Sequence, residues 1–258
     1  MPELRQESVI LDRRAVSGAQ ITTLIYEYPH GYRVPLHFHD RDQLVFATQG
    51  VMSVQTSEGA WVVPSQRAVW IPARVPHEIR MAGKVSMRTL YLKPGLAPLS
   101  RSCCVMNVSP LLRELIVHCC QHAALSRRRK TQAHLIDCIL DQLATSATVP
   151  LQLPNPLDPR ARKVAEMLHG DSGERRTLQE LCRFAGASRR TIERIFQKEM
   201  GMSLGKWRQQ LRIMQALRLL AAGEKVSHVA LEAGYSAPGA FAAMFRKLMG
   251  TTPGKYFK

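Results

Sequence analysis

A chain of 258 residues, 45% hydrophobic and 22% charged, is long enough for about two ordinary domains with buried cores. Its net charge of +16 favours a polyanionic partner, although solvated Lys and Arg or an anionic membrane surface would use the same charge. No run approaches the ~18 apolar residues of a membrane span, and the opening MPELRQESVILDRR lacks the apolar stretch of a secretory signal. The expectation is a cytoplasmic protein without a membrane partner.

In such a compartment the six cysteines stay reduced. They stand as Cys103–Cys104, Cys119–Cys120, Cys138 and Cys182, with no CxxC spacing, and read as small buried hydrophobes.

Residues 20–92 read as β. The segments Ile21–Tyr28, Leu44–Ala47, Met52–Gln55 and Trp61–Val63 are rich in Val, Ile, Thr and aromatics. Pro29, Gly31, Gly50, Gly59, Pro64, Pro72 and Pro76 punctuate them, which suggests a sandwich or barrel. Residues 108–145 read as two helices. Leu112, Leu115, Ile116 and Cys119 form the apolar stripe of one, and Leu135, Ile136, Ile139, Leu140 and Leu143 that of the other. Four prolines at 150, 154, 156 and 159 mark a domain linker.

The remaining residues are basic and read as helical: residues 158–258 hold 19 Lys+Arg against 9 Asp+Glu, a net of +10. In TLQELCRFAGASRRTIERIFQKEMG, Thr177 and Glu180 match a capping box. Gly186 suits a turn needing positive φ, and Ser188 caps the helix that follows. Ile192, Ile195 and Phe196 face inward, while Arg189, Arg190, Glu193, Arg194 and Gln197 face out, as a major-groove reader requires.

The pattern returns in KVSHVALEAGYSAPGAFAAMFRKLMG, with Gly234 as the turn, Ser236 as the cap, Pro238 early in the helix, and Phe241, Phe245 and Leu248 inward. Between the two, Leu204, Trp207, Leu211, Met214 and Leu217 step by three and four, so SLGKWRQQLRIMQALRLLAA is one amphipathic helix. At ~30 Å it would suit two helices placed in successive grooves ~34 Å apart.

This segment resembles the DNA-binding domain of the AraC/XylS family of bacterial regulators. The matching stretches are SRRTIERIFQKEMGMSLGKWRQQLRI, ALRLLAAGEKVSHVALEAGYSAPGAF and GTTPGKYF. The resemblance implies DNA contacts at Ser188, Arg189, Arg190, Glu193, Arg194 and Gln197 in the first unit. In the second it implies Ser236, Ala237, Gly239, Ala243, Arg246 and Lys247. Ala237 and Gly239 stand where the family commonly has Ser. With Ala242 and Ala243 they leave the second reading helix poor in polar groups.

Toward the N-terminus, Gly31-x5-His37-x-His39-x3-Gln43-x6-Gly50 places two His at i and i+2, on one face of an extended segment. Pro72-x-Arg74-x2-His77 adds a third. Both stretches resemble the motifs of the cupin fold, whose metal-binding members use His, His, Glu and His. Here Gln43 stands for that Glu and Arg74 for a usual Gly. Two readings stay open: an effector pocket whose histidines hydrogen-bond inside the barrel, or a divalent transition metal on His37, His39, Gln43 and His77. His118 and His122 also have a chelating i, i+4 spacing.

The expected fold class is α+β multidomain. A cupin-like, jelly-roll β-barrel spans 1–100 and a helical connector, expected to form a homodimer through its apolar stripes, spans 101–150. A linker follows at 151–159, and then an all-α domain with two helix-turn-helix units at 160–258. The expected function is sequence-specific transcriptional control, with activation and contact to RNA polymerase implied by the resemblance. The partners are double-stranded DNA and a small-molecule effector, and no cofactor is required. The alternatives are a metal-dependent cupin enzyme fused to DNA-binding helices, which Gln43 disfavours, and an architectural DNA protein with no ligand. No nucleophile–base set or phosphate loop of recognisable spacing appears.

Overall fold

The computed structural model describes residues 18–149, 151–170 and 177–256, so the opening segment and Pro150 lie outside the described residues. The chain divides into two compact units. Of the described residues, those of 18–56 and 61–152 form the first, and those of 57–60 and 153–256 form the second.

In the first unit, β1 (Ile21–Tyr28), β2 (Arg33–His37), β3 (Asp42–Gln55), β4 (Gly59–Pro64, from Trp61 on), β5 (Arg67–Ile71), β6 (His77–Leu92) and β7 (Cys104–Asn107) are joined by two short strands, β8 (Ala124–Leu125) and β9 (Thr148–Val149). The order along the main path is β8-β1-β6-β3-β5-β7-β9, with β2 added on β6 and β4 on β3. The 16-residue β6 therefore serves three antiparallel neighbours. Two segments expected as separate strands, Leu44–Ala47 and Met52–Gln55, are one strand. Gly50 does not end it; the β3–β6 register shifts around Gln49 and Val51, and Gly50 takes φ +82° there.

Helices α1 (Pro110–Cys119) and α2 (Lys130–Thr145) lie on one face of this sheet. Ser109 caps α1 by accepting the Leu112 N–H at 3.0 Å. The stripe residues Leu112, Ile116, Cys119, Ile136, Ile139 and Leu143 share one core with Ile21, Leu44, Phe46, Trp70, Leu90 and Leu92. Each such side chain contributes roughly 1.5–3 kcal/mol through burial. The sheet covers these six stripe residues, while Leu115, Leu135 and Leu140 of the same stripes are only partly buried. The cysteine reading needs a correction, since Cys138 is exposed and Cys104 only half-buried.

In the second unit, α3 (Pro159–Gly170), α4 (Leu178–Phe184), α5 (Arg189–Met200), α6 (Leu204–Ala221), α7 (Val226–Glu232), α8 (Pro238–Met249) and α9 (Pro253–Tyr256) follow one another. Trp207 is fully buried at its centre, with its ring edge-on to Phe196 and His169. Its indole N–H donates to the Pro154 carbonyl at 3.0 Å. The Glu199 carboxylate accepts the Leu157 N–H at 2.8 Å and the Asp158 N–H at 3.3 Å. The proline-rich stretch expected as a linker is thus pinned, from Pro154 to Asp158, to the helical unit.

Gly50 and Gly186 both need positive φ, but they differ in room. A Cβ on Gly50 would stand 2.3 Å from the Lys84 carbonyl oxygen, whereas one on Gly186 meets nothing within 4 Å. Gly186→Ala is expected to cost about 1 kcal/mol, the backbone penalty alone. Gly50→Ala should cost about 3 kcal/mol or more, since backbone cannot step aside. Denaturant unfolding of both variants checks the order.

Candidate functional site

Strand pairing assembles the first site. His37 ends β2 and lies directly across from His77, which opens β6, with ring centroids 4.3 Å apart. His39 sits just past the strand, in the loop, and still joins them, 6.1 Å from His37 and 5.1 Å from His77. Two contacts fold the loops together: the Arg74 N–H donates to the His39 carbonyl at 2.8 Å, and the Ala73 N–H to the Asp42 carboxylate at 2.9 Å. Arg74 takes φ +66° to do this, at the position where the cupin motif has Gly. One ligand atom from each histidine lies within 4.8 Å of the others.

The proton positions follow from the partners. The Nδ1 atoms of His37, His39 and His77 lie 2.8, 2.7 and 2.8 Å from the carbonyls of Pro35, Arg41 and Val75. A carbonyl only accepts, so each Nδ1 carries the hydrogen and, in a neutral ring, each Nε2 is a bare lone pair. Burial, with His37 adding to it, pushes the His77 imidazole down to about 3, and burial also lowers His37, so both favour the neutral form. The His77 Nε2 is buried without a partner among the described residues.

Gln43 completes the set and is 1% exposed. The Thr89 hydroxyl donates to the Leu44 carbonyl at 3.1 Å, so its oxygen is left to accept from the Gln43 Nε2 at 3.1 Å. The Tyr91 hydroxyl oxygen accepts from the same Nε2 at 3.1 Å. The amide oxygen is thereby turned to the His39 Nε2 at 2.9 Å. Thr89 and Tyr91 were not singled out by motif spacing. The signal for them was their alternation on a strand opened by a candidate ligand.

In the second unit the turn geometry is used twice. Gly186 and Gly234 both sit at φ +75°, and the next N–H, of Ala187 or Tyr235, donates back to Cys182 or Ala230 at 3.0 or 2.9 Å. The capping box of Thr177 and Glu180 is present, and Ser188 accepts the Thr191 N–H at 3.1 Å. Ser236 does not cap the second reading helix. Ala237 holds that position, where no side chain can accept an amide hydrogen. Leu248, expected inward, is 43% exposed, and Met249 is buried in its place.

Arg189, Arg190, Arg194 and Gln197 are exposed on α5, and Ala237, Gly239, Ala243, Arg246 and Lys247 on or beside α8. Glu193 differs: its carboxylate accepts the Leu204 N–H, the first free donor of α6, at 3.0 Å. His118 and His122 have ring centroids 5.6 Å apart and are exposed.

The profile described as an AraC-like ligand binding domain matches residues 21–157, and that described as a helix-turn-helix domain matches 181–258. The transcriptional regulator NimR of Escherichia coli is 34% identical over 222 residues, covering 86% of this chain and 81% of NimR. The chain is an AraC-family transcriptional regulator.

The activator RhaR of Mannheimia succiniciproducens is 20% identical over 86% of each chain. A crystal structure of ToxT from Vibrio cholerae O395 aligns over 92% of this chain and 97% of its own, at 11% identity and a TM-score of 0.39. An AraC-family regulator binds DNA through the helix-turn-helix units and answers a small-molecule effector through the N-terminal unit. Among the described residues no helix is long and apolar enough to cross a membrane.

Because Glu193 holds the start of α6, Glu193→Ala is expected to lower stability by about 1 kcal/mol. Its preferred DNA sequence should stay unchanged. Thermal unfolding together with a binding-site selection checks both halves of that expectation.

Proposed function

We propose that this AraC-family regulator is a cytoplasmic activator, not an enzyme, whose effector site is the cluster of His37, His39, Gln43 and His77, with a divalent transition metal held there. The observation that carries the metal reading is a pair of acceptors. With Nδ1 of His39 donating to a carbonyl and the Gln43 amide turned by Thr89, two lone pairs face each other at 2.9 Å. Only a proton or a cation between them makes that contact attractive. A proton on His39 would leave the buried Nε2 of His77 unmatched, whereas one ion answers all the lone pairs together.

The three backbone carbonyls behind the rings supply the outer hydrogen bonds that metal-binding histidines use. Such an ion, when bound, supplies an electrophilic position that a further ligand can occupy.

Activation and contact with RNA polymerase rest on the family and on relatives named as activators. The regulator names of the relatives support the non-enzymatic reading. A homodimer belongs to the same reading, with an interface outside the residues of α1 and α2 that the sheet covers.

Calorimetry of the untagged full chain with Zn2+ is expected to give one equivalent bound. His77→Ala should weaken that binding by about tenfold or more, and His118→Ala should leave it unchanged. No saturable Zn2+ binding would refute the metal reading.

On DNA, α5 is proposed to read bases and α8 mainly to grip phosphates. The exposed Arg190, Arg194 and Gln197 can pair with guanine or adenine edges, whereas Ala237, Gly239 and Ala243 offer no side-chain hydrogen bond. Arg190→Ala or Arg194→Ala should flatten preference in one half-site, by about 1–3 kcal/mol per lost bidentate contact. Lys247→Ala should weaken all sequences alike and lower the salt slope by about one. A saturation scan of the operator at two salt concentrations tests this, and equal information in both halves would sink it.

A further inference from the structure

The donors around the proposed ion are all uncharged: three imidazoles and one amide oxygen. Among the described residues the convergent cluster contains no Asp, Glu or Cys. The nearest carboxylates in sequence are committed elsewhere. Asp42 accepts the N–H groups of Ala73 and Gly95 at 2.9 and 3.3 Å, Asp40 pairs with Arg74 at 3.1 Å, and Glu78 lies between Arg33 and Arg80. The guanidinium of Arg41 is turned away to the carbonyls of Ala19 and Gln20, and those of Arg33 and Arg80 share Glu78. His39 and His77 are 5% and 0% exposed and His37 is half-buried, so water reaches the cluster only from the His37 side and screens its charge weakly.

We infer that Gln43 sets the class of effector. A locked, neutral amide oxygen leaves the charge of a divalent ion uncompensated by the chain in a largely buried site, and the site therefore takes an anionic oxygen donor, a carboxylate, as its effector. The inference rests on the metal reading above. A buried cation without a counter-charge is costly, and a Glu at this position would have supplied that charge from the chain itself. Gln43 cannot, and it cannot rotate to offer its Nε2 instead, because that group is held by Thr89 and Tyr91. The charge then comes from the open position: hydroxide from water when no effector is bound, and the carboxylate that displaces it when one is. Tyr91, edge-on to His39 at 5.0 Å, gives the carboxylate's carrier an aromatic wall.

The test uses the full chain loaded with Co2+, whose visible absorption reports its ligands. Benzoate is expected to shift that spectrum saturably, while benzyl alcohol, of similar shape but uncharged, leaves it unchanged. The charge-supplying variant Gln43→Glu should still bind Co2+ but respond to benzoate at least about tenfold more weakly. Equal responses to benzoate and benzyl alcohol, or a benzoate response in the metal-free protein as strong as in the loaded one, would overturn the inference using wild-type protein alone. A Co2+-loaded spectrum indifferent to benzoate would also overturn it while leaving the metal reading intact. Failure of the wild-type chain to bind Co2+ at all would instead remove the metal reading on which it stands.

Discussion

Strand β6 is the element on which the first unit depends. Its first residues pair with β2 and bring His77 opposite His37, and its later ones pair with β1 and β3 and carry Thr89 and Tyr91 to Gln43. The same strand turns Leu90 and Leu92 the other way, into the core under α1 and α2. One backbone ladder therefore aligns the polar cluster and the helix-covered core at once. A register slip of one residue would exchange the two faces, and both cores would be lost.

Inside the cluster the governing constraint is that buried polar atoms need partners. The three Nδ1–H groups find carbonyls two residues away, which fixes the rings and aims three lone pairs inward. Gln43 is as constrained as the histidines: Thr89 spends its hydrogen on Leu44, so the amide has one orientation left. Every outer bond is satisfied, while on the inner face the His77 Nε2 has no partner among the described residues and the His39 Nε2 meets only the Gln43 amide oxygen.

The DNA-binding unit uses one device twice and then departs from it. Both turns place glycine at φ +75° and return an N–H to the preceding helix. The reading helices begin differently: Ser188 supplies a cap oxygen, whereas Ala237 supplies none and Pro238 removes one donor that would have needed it. The pinning of residues 154–158 by Trp207 and Glu199 makes the approach to α3 part of the folded unit.

Local chemistry was enough to read much of this from the sequence. Capping residues, turn glycines and helical periodicity act within four residues of each other, so Thr177, Gly186, Ser188 and the inward face of α6 could be read directly. The His-x-His spacing likewise marked His37 and His39, and the resemblance to the cupin motifs added Gln43 and His77. Long-range pairing decided the rest. Only the β2–β6 register shows that His77 meets the other two, and only the β3–β6 pairing shows what Thr89, Tyr91 and the Gln43 amide do to one another. An apolar stripe says that a helix must be covered but not by what, so the sheet under α1 and α2 was invisible in the pattern that required it. Glu193, on the outer side by periodicity, was drawn to a backbone donor eleven residues on, because Ser203 caps the Lys206 N–H and leaves the Leu204 N–H to be met from elsewhere, a demand that a helical wheel does not show.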